Sequence, residues 1–242
     1  MGAEDFPSFI DQMTAYGADV VFLQEADNLP YDIPCKGYVV FKTEGEGRTM
    51  LLLRGTLSSF VKFSILEATH TIVIFDKIVL ASVYLPNSMH SDDHYDACVS
   101  TVQSNILLCF NKGAKCVVGG GDLNFKCEPN IKHYSGECCV PLTSSSSANL
   151  ARDITIRAFM KRIGCQLTST FNNQSESFET YKSWGQNGRS FQLDYIFSSF
   201  KLCGVTECFN KSRFMNSDHF PMRTTLKLNE RTVSFQQNRN QL

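Results

Sequence analysis

Apolar residues occur in short runs along the first half of the chain, and each run ends in a polar or glycine-containing segment. An apolar stripe near the N-terminus repeats at helical spacing and precedes Gly17, which predicts an amphipathic helix with glycine at its C-terminal end. The stripe consists of Phe6, Phe9, Ile10 and Met13. The next run, residues 18–23, contains two adjacent valines and predicts a buried strand that leads to Glu25.

Five more apolar runs predict short strands, whose spacing is typical of antiparallel meanders. They cover residues 37–41, 49–53, 59–66, 69–75 and 78–84. A longer helix is predicted from Asp92 and Asp93 to about Asn111, with Gly113 just beyond it. This mixture of strands and helices favours one α/β domain in which two packed sheets are flanked by helices.

The apolar pattern stops most abruptly in the segment 117–125, which reads VVGGGDLNF. The valines predict a buried strand, and the glycines allow a sharp turn or the close approach of another group. Asp122 and Asn124 then follow at the end of a strand, where open α/β sheets gather their functional groups. The alternative is a plain turn, because Gly-Asp-x-Asn is also ordinary turn chemistry.

The second half begins with a long polar segment, residues 128–147, which contains a run of four serines and predicts a surface loop. A helix is then predicted from Ser147 or Ala148 to a residue before Gly164. Four of its apolar residues are expected to face the core. They are Leu150, Ile154, Phe159 and Ile163.

The remaining apolar runs predict four strands, the first two of which bracket Gly-Gln-Asn-Gly at 185–188, a strong hairpin signal. They cover residues 178–184, 191–197, 202–209 and 222–228. The Gln- and Asn-rich segment 230–242 predicts a disordered tail. We therefore expect one folded domain over residues 1–229.

Composition narrows the functional classes without naming one. At 43% hydrophobic and 19% charged residues, the chain is typical of an ordinary globular protein. Its formal net charge of -1 gives no global attraction for nucleic acid, so such binding would need a local patch or a metal ion. None of the ten cysteines forms a CxxC pair, which argues against a zinc or redox motif. We expect an intracellular protein, nuclear or cytoplasmic, with no signal peptide and no membrane span.

Acidic and amide residues recur at predicted strand ends, and a histidine accompanies one of them. They are Glu25, Asn87, Asp122, Asn124, Asp194 and Asp218, with His219 beside the last. Hard cations such as Mg²⁺ prefer carboxylate and carbonyl oxygens, and phosphate-ester hydrolysis needs a cation and a positioned water. Each residue also has an ordinary structural interpretation, such as a turn cap, an ion-pair partner or a surface imidazole.

Five short motifs follow one another in an order that resembles the endonuclease/exonuclease/phosphatase superfamily, which includes apurinic and retrotransposon endonucleases and pancreatic deoxyribonuclease. They are LQE at 23–25, YxPN at 84–87, GDLN at 121–124, LDYIF at 193–197 and SDHFP at 217–221. The motifs span nearly the whole chain, and the last three are highly specific together. The resemblance implies a four-layer α/β sandwich, in which two mixed β-sheets pack face to face with helices outside.

The resemblance also implies roles around a Mg²⁺ ion, with Mn²⁺ as an alternative. Glu25 resembles the metal-binding carboxylate, and Asp218 a second carboxylate near the metal. Asp122 resembles the residue that orients or deprotonates the attacking water. Asn124 would hold that water and the phosphate.

Phosphate contacts are implied for a further group of side chains. Tyr84 and Asn87 would bind the phosphate or assist the leaving group. His219 would donate to a nonbridging phosphate oxygen, with Asp194 orienting its ring. This agrees with elementary electrostatics, because an imidazolium held by a carboxylate is a fixed positive donor against growing negative charge.

The segment from Thr180 to Trp184, followed by Arg189, is similar to non-LTR retrotransposon endonucleases, in which a hairpin here reaches into a DNA groove. Trp184 and Arg189 are therefore candidate substrate-binding residues, and Lys182 would face a phosphate. A plain solvated turn is the alternative. The resemblance implies a Mg²⁺-dependent DNA endonuclease of retrotransposon type, with DNA as its partner.

One departure from the family pattern concerns the N-terminus. The family begins with a strand that carries an Asn of the metal and phosphate site, whereas this sequence starts at the following helix, with no Trp-Asn-like pair before Gln24. Two alternatives to the endonuclease interpretation follow. One is a catalytically impaired relic or binding domain, and the other is a phosphatase that acts on inositol phosphates or another small phosphoester.

Overall fold

The structure is a computed structural model, and the described part of the chain comprises eight ranges. They are residues 4–45, 47–129, 131–137, 147–171, 179–182, 190–200, 206–208 and 219–225. The tip of the predicted hairpin at 185–188 and the tail at 230–242 lie outside them, as do residues 130 and 138–146 of the predicted loop at 128–147. No helix among these residues has the length and apolar character needed to cross a bilayer.

Two sheets and three α-helices form the described fold. The first sheet contains β1 (Val20–Gln24), β2 (Tyr38–Lys42) and β3 (Thr49–Arg54) in the order β1-β3-β2, and every pairing is antiparallel. The prediction of short strands in this region is confirmed. The strands do not form a single meander, however, because the later runs belong to the other sheet.

The second sheet has five strands, which are β4 (Val61–Leu66), β5 (His70–Phe75), β6 (Ile78–Tyr84), β7 (Cys116–Asp122) and β10 (Asp194–Ser198). Their order in the sheet is β10-β7-β6-β5-β4. The β6–β7 pair is parallel and the others are antiparallel, so this sheet is mixed. Four shorter strands form two additional pairs. They are β8 (Tyr181–Lys182) with β9 (Ser190–Phe191), and β11 (Glu207–Cys208) with β12 (Met222–Arg223).

Three separate cores show that the elements form four layers. Helix α1 (Phe6–Ala15) packs on the outer face of the three-stranded sheet, and helices α2 (Asp92–Asn111) and α3 (Ser147–Ile163) cover the five-stranded sheet. A third apolar cluster joins the inner faces of the two sheets. The predicted sandwich with helices outside is therefore confirmed.

Alternation along the strands explains how one strand serves two layers. In β3, Met50 and Leu52 pack against α1, whereas Leu51 and Leu53 pack against the other sheet. All four side chains are fully buried. Successive side chains of a strand point to opposite faces, so a continuous apolar run is what a strand buried on both faces requires.

Two sequence-based expectations require correction. The run 59–66 does not start as a strand, because residues Gly55–Phe60 form a 3-10 helix and β4 begins at Val61. In α3, Leu150 and Ile154 are 51% and 58% exposed rather than core-facing. The buried positions of that half of the helix are occupied by Arg152 and Asp153, whose charged groups are hydrogen-bonded to the Pro86 carbonyl and the Tyr134 hydroxyl.

A buried histidine links β5 to α2. His70 has no exposed surface, its Nε2 lies 2.8 Å from Nδ2 of Asn105, and its Nδ1 lies 3.1 Å from Oγ1 of Thr69. The Asn105 amide is a donor, so Nε2 accepts and Nδ1 carries the proton of a neutral ring. Burial lowers the pKa of His70 to about 4, against an ordinary value of 6.5.

This histidine predicts acid sensitivity. The unfolded chain binds a proton at His70 below about pH 6.5, while the folded chain resists protonation until about pH 4, so stability falls as the pH drops through this window. We expect His70 to contribute on the order of 3 kcal/mol to that loss. Urea unfolding at several pH values should show a smaller pH slope for His70→Gln than for wild type. The exposed His94→Gln variant is the control, and equal slopes for wild type and His70→Gln would contradict the prediction.

Candidate active site

The strand register of the five-stranded sheet places three predicted site residues in one row. Asp122 at the end of β7 is paired with Tyr84 at the end of β6 and with Asp194 at the start of β10. Neighbouring strands lie about 5 Å apart, so these side chains rise from adjacent positions. The row lies at one edge of the sheet because β6 and β7 are parallel and both end there.

The glycines of β7 allow its neighbours to approach so closely. A Cβ atom on Gly121 would lie 1.8 Å from the Val83 carbonyl oxygen, and one on Gly119 would lie 2.2 Å from the Phe197 ring. On the other face, a Cβ on Gly120 would be 3.1 Å from the ring of Phe22. The glycines therefore serve close packing within the strand, and the turn follows only after Asp122.

Asp122 and Asn124 are tied together by hydrogen bonds. The Asn124 backbone N–H donates to Oδ1 of Asp122 at 2.9 Å, and the Asn124 amide donates to Oδ2 at 2.9 Å and to the Leu85 carbonyl at 2.8 Å. Asn124 has a φ of 48°, a conformation that Asn tolerates better than most residues. This geometry fixes both side chains before any ligand binds.

Burial is the main reason why the pKa of Asp122 is raised well above its ordinary value. The nearby Asp194 raises this pKa further, as does Glu25, whereas His219 and the Asn124 N–H lower it. Only 3% of Asp122 is exposed. A carboxylate that is buried near other carboxylates gains proton affinity, which suits a group that accepts a proton from water.

His219 is held by Asp194. Its Nδ1 lies 2.9 Å from Oδ2 of Asp194, and an ionised carboxylate can only accept, so Nδ1 carries the proton. The backbone N–H of Asp194 in turn donates to Oγ1 of Thr180 at 3.0 Å. Because Nδ1 is committed to Asp194, a contact from this ring to a phosphate would come from Nε2.

Glu25 reaches the same edge from the three-stranded sheet. Just before it, Gln24 donates from Nε2 to Oγ of Ser82 at 3.1 Å, and Ser82 donates to the Leu23 carbonyl at 3.1 Å. These bonds join the two sheets two residues before Tyr84. Glu25 itself is exposed and has a φ of 53°, a conformation that is uncommon for this residue type and is concentrated at functional sites.

Burial and three charged neighbours affect the pKa of Tyr84. Burial raises its pKa, Glu25 and Asp122 raise it further, and Arg48 lowers it. Oη of Tyr84 accepts a hydrogen bond from Nη1 of Arg48 at 3.2 Å. Arg48 was not among the residues predicted from the sequence, because it follows the glycine-rich segment before β3 and matches none of the five motifs.

Arg152 is a second residue that sequence reasoning missed. Its guanidinium, on α3, donates to the carbonyls of Pro86, Asn87 and Asn124 at 3.0–3.1 Å and to that of His90 at 3.3 Å. It thereby ties the loop after β6 to the loop after β7. An arginine two residues from each of the exposed apolar residues Leu150 and Ile154 gives no signal of this role, because its acceptors are carbonyls that are distant in sequence.

Not all of the predicted site residues contact this cluster in the described part of the chain. Oδ1 of Asn87 accepts from the Met89 backbone N–H at 3.1 Å, so this atom caps its own turn. Lys182 is exposed on β8. Three further candidates, Asp218, Trp184 and Arg189, lie outside the described residues.

The donor set fits a hard divalent cation. Within the described ranges, no three His, Cys, Asp or Glu side chains converge into a self-sufficient metal site. Mg²⁺ does not require one, because it commonly keeps several waters and uses one or two carboxylates together with substrate phosphates. Glu25 offers an exposed carboxylate of this kind, within electrostatic reach of the buried carboxylate of Asp122.

Known structures share this fold at low sequence identity. No protein-family model and no curated protein sequence matches the chain. The 3' phosphatase NExo from Neisseria, bound to a product DNA hairpin, is 13% identical with a TM-score of 0.64, over 92% of this chain and 94% of the other. The AP endonuclease LMAP from Leishmania major is 16% identical with a TM-score of 0.59, over 91% and 83%.

A third similar structure is the endonuclease domain of TRAS1, a telomere-specific non-LTR retrotransposon, at 12% identity and a TM-score of 0.57 over 89% of this chain and 90% of the other. These structural neighbours all belong to the endonuclease/exonuclease/phosphatase superfamily. The chain therefore has the fold of this superfamily, which confirms the architecture that the five motifs implied.

Because the Val83 backbone lies so close to Gly121, adding a single methyl group there should have a large effect on stability. Gly121→Ala should destabilise the fold by about 3 kcal/mol or more, because the new Cβ collides with backbone rather than with a flexible side chain. Gly113→Ala is the matched control, since no atom lies within 4 Å of its Cβ position and only its positive φ of 98° opposes the change. Urea unfolding of both variants measures the difference, and equal losses would contradict the steric account.

The carbonyl contacts of Arg152 predict that charge alone cannot replace it. Arg152→Met should cost about 2–4 kcal/mol, because it leaves buried carbonyls without donors. Arg152→Lys should recover only part of this loss, since one ammonium cannot span acceptors on two loops. Urea unfolding of both variants tests the difference. Full recovery by lysine would show that only the positive charge matters.

Proposed function

We propose that this protein is a phosphodiester hydrolase that uses Mg²⁺ or Mn²⁺ and cleaves DNA as an endonuclease of retrotransposon type. The observation that carries the proposal is the meeting of Tyr84, Asp122 and the Asp194–His219 pair at one edge of the sandwich, with Glu25 within electrostatic reach. The positions and the chemistry of these side chains support the proposal, as does the fold shared with known hydrolases.

The proposed chemistry is an in-line attack of water on phosphorus. Asp122 would accept the proton of the water, since its buried carboxylate has an increased affinity for protons. Asn124, already fixed by Asp122 and Leu85, would hold the phosphate and orient the water. Pre-formed geometry of this kind lowers the entropic cost of reaching the transition state.

His219 would stabilise the charge that grows on the phosphate oxygens. Asp194 holds its ring in place, so that Nε2 would donate to a nonbridging oxygen. Tyr84 would donate from its hydroxyl to the same phosphate. Glu25 and Asp218 would hold the cation, which when bound would offset phosphate charge and stabilise the departing 3′-oxygen.

DNA as the substrate is supported by the named neighbours, which include an AP endonuclease and a phosphatase bound to a DNA hairpin. The net charge of -1 gives no long-range attraction for DNA. Binding would then depend on cations near the site. Asn87, Trp184 and Arg189 remain the proposed substrate-binding residues, the last two in the segment predicted to form a hairpin.

Nicking of a closed circular plasmid tests this function, because such DNA has no ends and excludes exonuclease or end-phosphatase activity. We expect wild type to nick it with Mg²⁺ or Mn²⁺ and to lose activity in chelator. His219→Ala and Asp122→Asn should each reduce the rate at least ~100-fold, the usual loss for an electrostatic or acid–base group.

The control for these variants is Asp76→Asn, which removes a carboxylate from the opposite end of the same sheet, where Asp76 pairs with Lys62. We expect it to cleave like wild type. Absence of cation-dependent nicking by folded wild-type protein would contradict the proposal and favour a binding domain. Release of phosphate from inositol phosphates without nicking would favour the phosphatase alternative.

A further inference from the structure

A surface arginine stands directly beside the proposed catalytic cluster without an assigned role. The register of β1 and β3 pairs Gln24 with Thr49, so the next residues, Glu25 and Arg48, face each other where the strands end. The Arg48 carbonyl accepts from the Ala26 N–H at 3.1 Å. Arg48 therefore emerges at the same edge as Glu25 and Tyr84.

The backbone of Arg48 is held from a second side as well. Its N–H donates to the Ala68 carbonyl at 2.9 Å, in the turn between β4 and β5. The next residue, Thr49, is buried and its Oγ1 lies 3.0 Å from Oγ1 of Thr71. Arg48 thus extends from a fixed point between the two sheets, although its neighbours toward the N-terminus are glycine-rich.

The side chain is tethered but still exposed. Nη1 donates to Oη of Tyr84 at 3.2 Å, and the guanidinium carbon lies 5.2 Å from the centre of the Tyr84 ring. Among the described residues, no carboxylate lies within ion-pair distance of Arg48, in contrast to Arg54 six residues later, which pairs with Asp19 at 2.8 Å. A guanidinium has five N–H donors, so most of them stay available to a ligand.

We infer that Arg48 is a substrate-binding residue that contacts a nonbridging oxygen of the phosphate under attack, the same phosphate that Tyr84 binds. This inference rests on the proposed function. A guanidinium matches phosphate geometry and is positively charged at any working pH. Held by Tyr84 opposite Glu25, it supplies a fixed positive charge on the side of the site that faces the three-stranded sheet, whereas His219 is hydrogen-bonded to Asp194 at the start of β10.

The decisive experiment compares Arg48→Ala and Arg48→Lys with the control Arg162→Ala, which removes an exposed arginine near the end of α3. Single-turnover cleavage of a DNA duplex at saturating enzyme separates chemistry from binding. We expect Arg48→Ala to lower the saturated rate constant about 10–100-fold, because it removes a donor to the reacting phosphate. Arg48→Lys should recover part of this rate, and Arg162→Ala should match wild type.

Salt dependence and coupling give a second readout. In Arg48→Ala, the slope of log affinity against log salt should fall by about 1, as expected when one phosphate contact is lost. The losses from Arg48→Ala and Tyr84→Phe should not add, because each removes part of the same hydrogen-bonded pair. Equal melting temperatures for wild type and Arg48→Ala would exclude a general defect in folding.

The possible outcomes separate this inference from the proposed function. Wild-type cleavage together with unchanged rate and salt slope in Arg48→Ala would overturn the role of Arg48 and leave the hydrolase intact. A loss confined to affinity, with the saturated rate unchanged, would place the contact at another phosphate and also overturn it. A wild-type protein that neither binds nor cleaves DNA would overturn both.

Discussion

The close backbone packing of β7 between β6 and β10 is the constraint on which the site depends. Gly121 lets the Val83 carbonyl occupy space that any side chain would fill. This packing sets the register in which Tyr84, Asp122 and Asp194 stand next to one another. Three residues from distant parts of the chain become a single row because one strand has no Cβ atom at a critical position.

The two sheets must also be fixed against each other, because the proposed site draws on both. Apolar packing between their inner faces supplies the adhesion, but it is not directional. The Gln24–Ser82 and Thr49–Thr71 hydrogen bonds are directional, and they fix the position of one sheet relative to the other near the edge of the sandwich. Glu25 directly follows Gln24 and Arg48 directly precedes Thr49, so these hydrogen bonds also fix the positions of both residues relative to Tyr84.

Concentrating carboxylates at one edge opposes stability, and the structure contains features that balance it. Asp122 is buried close to Asp194 and Glu25, which raises its pKa. The Asn124 donors, the His219 ring and the exposed guanidinium of Arg48 supply compensating positive charge or hydrogen bonds. Arg152 stabilises the loops that carry Asn87 and Asn124 from behind. The proposed divalent cation would complete this balance.

The sequence by itself determined the strands, the helices and the order of the acidic motifs, because apolar periodicity and glycine positions are local properties. It also identified Glu25, Tyr84, Asp122, Asn124, Asp194 and His219 as candidates. Only the tertiary structure decided which residues meet. Arg48 and Arg152 gave no local signal, since their partners are a distant hydroxyl and distant carbonyls. Periodicity also could not show that Arg152 and Asp153, rather than Leu150 and Ile154, are buried, because the hydrogen bonds of these charged groups go to residues that are distant in sequence.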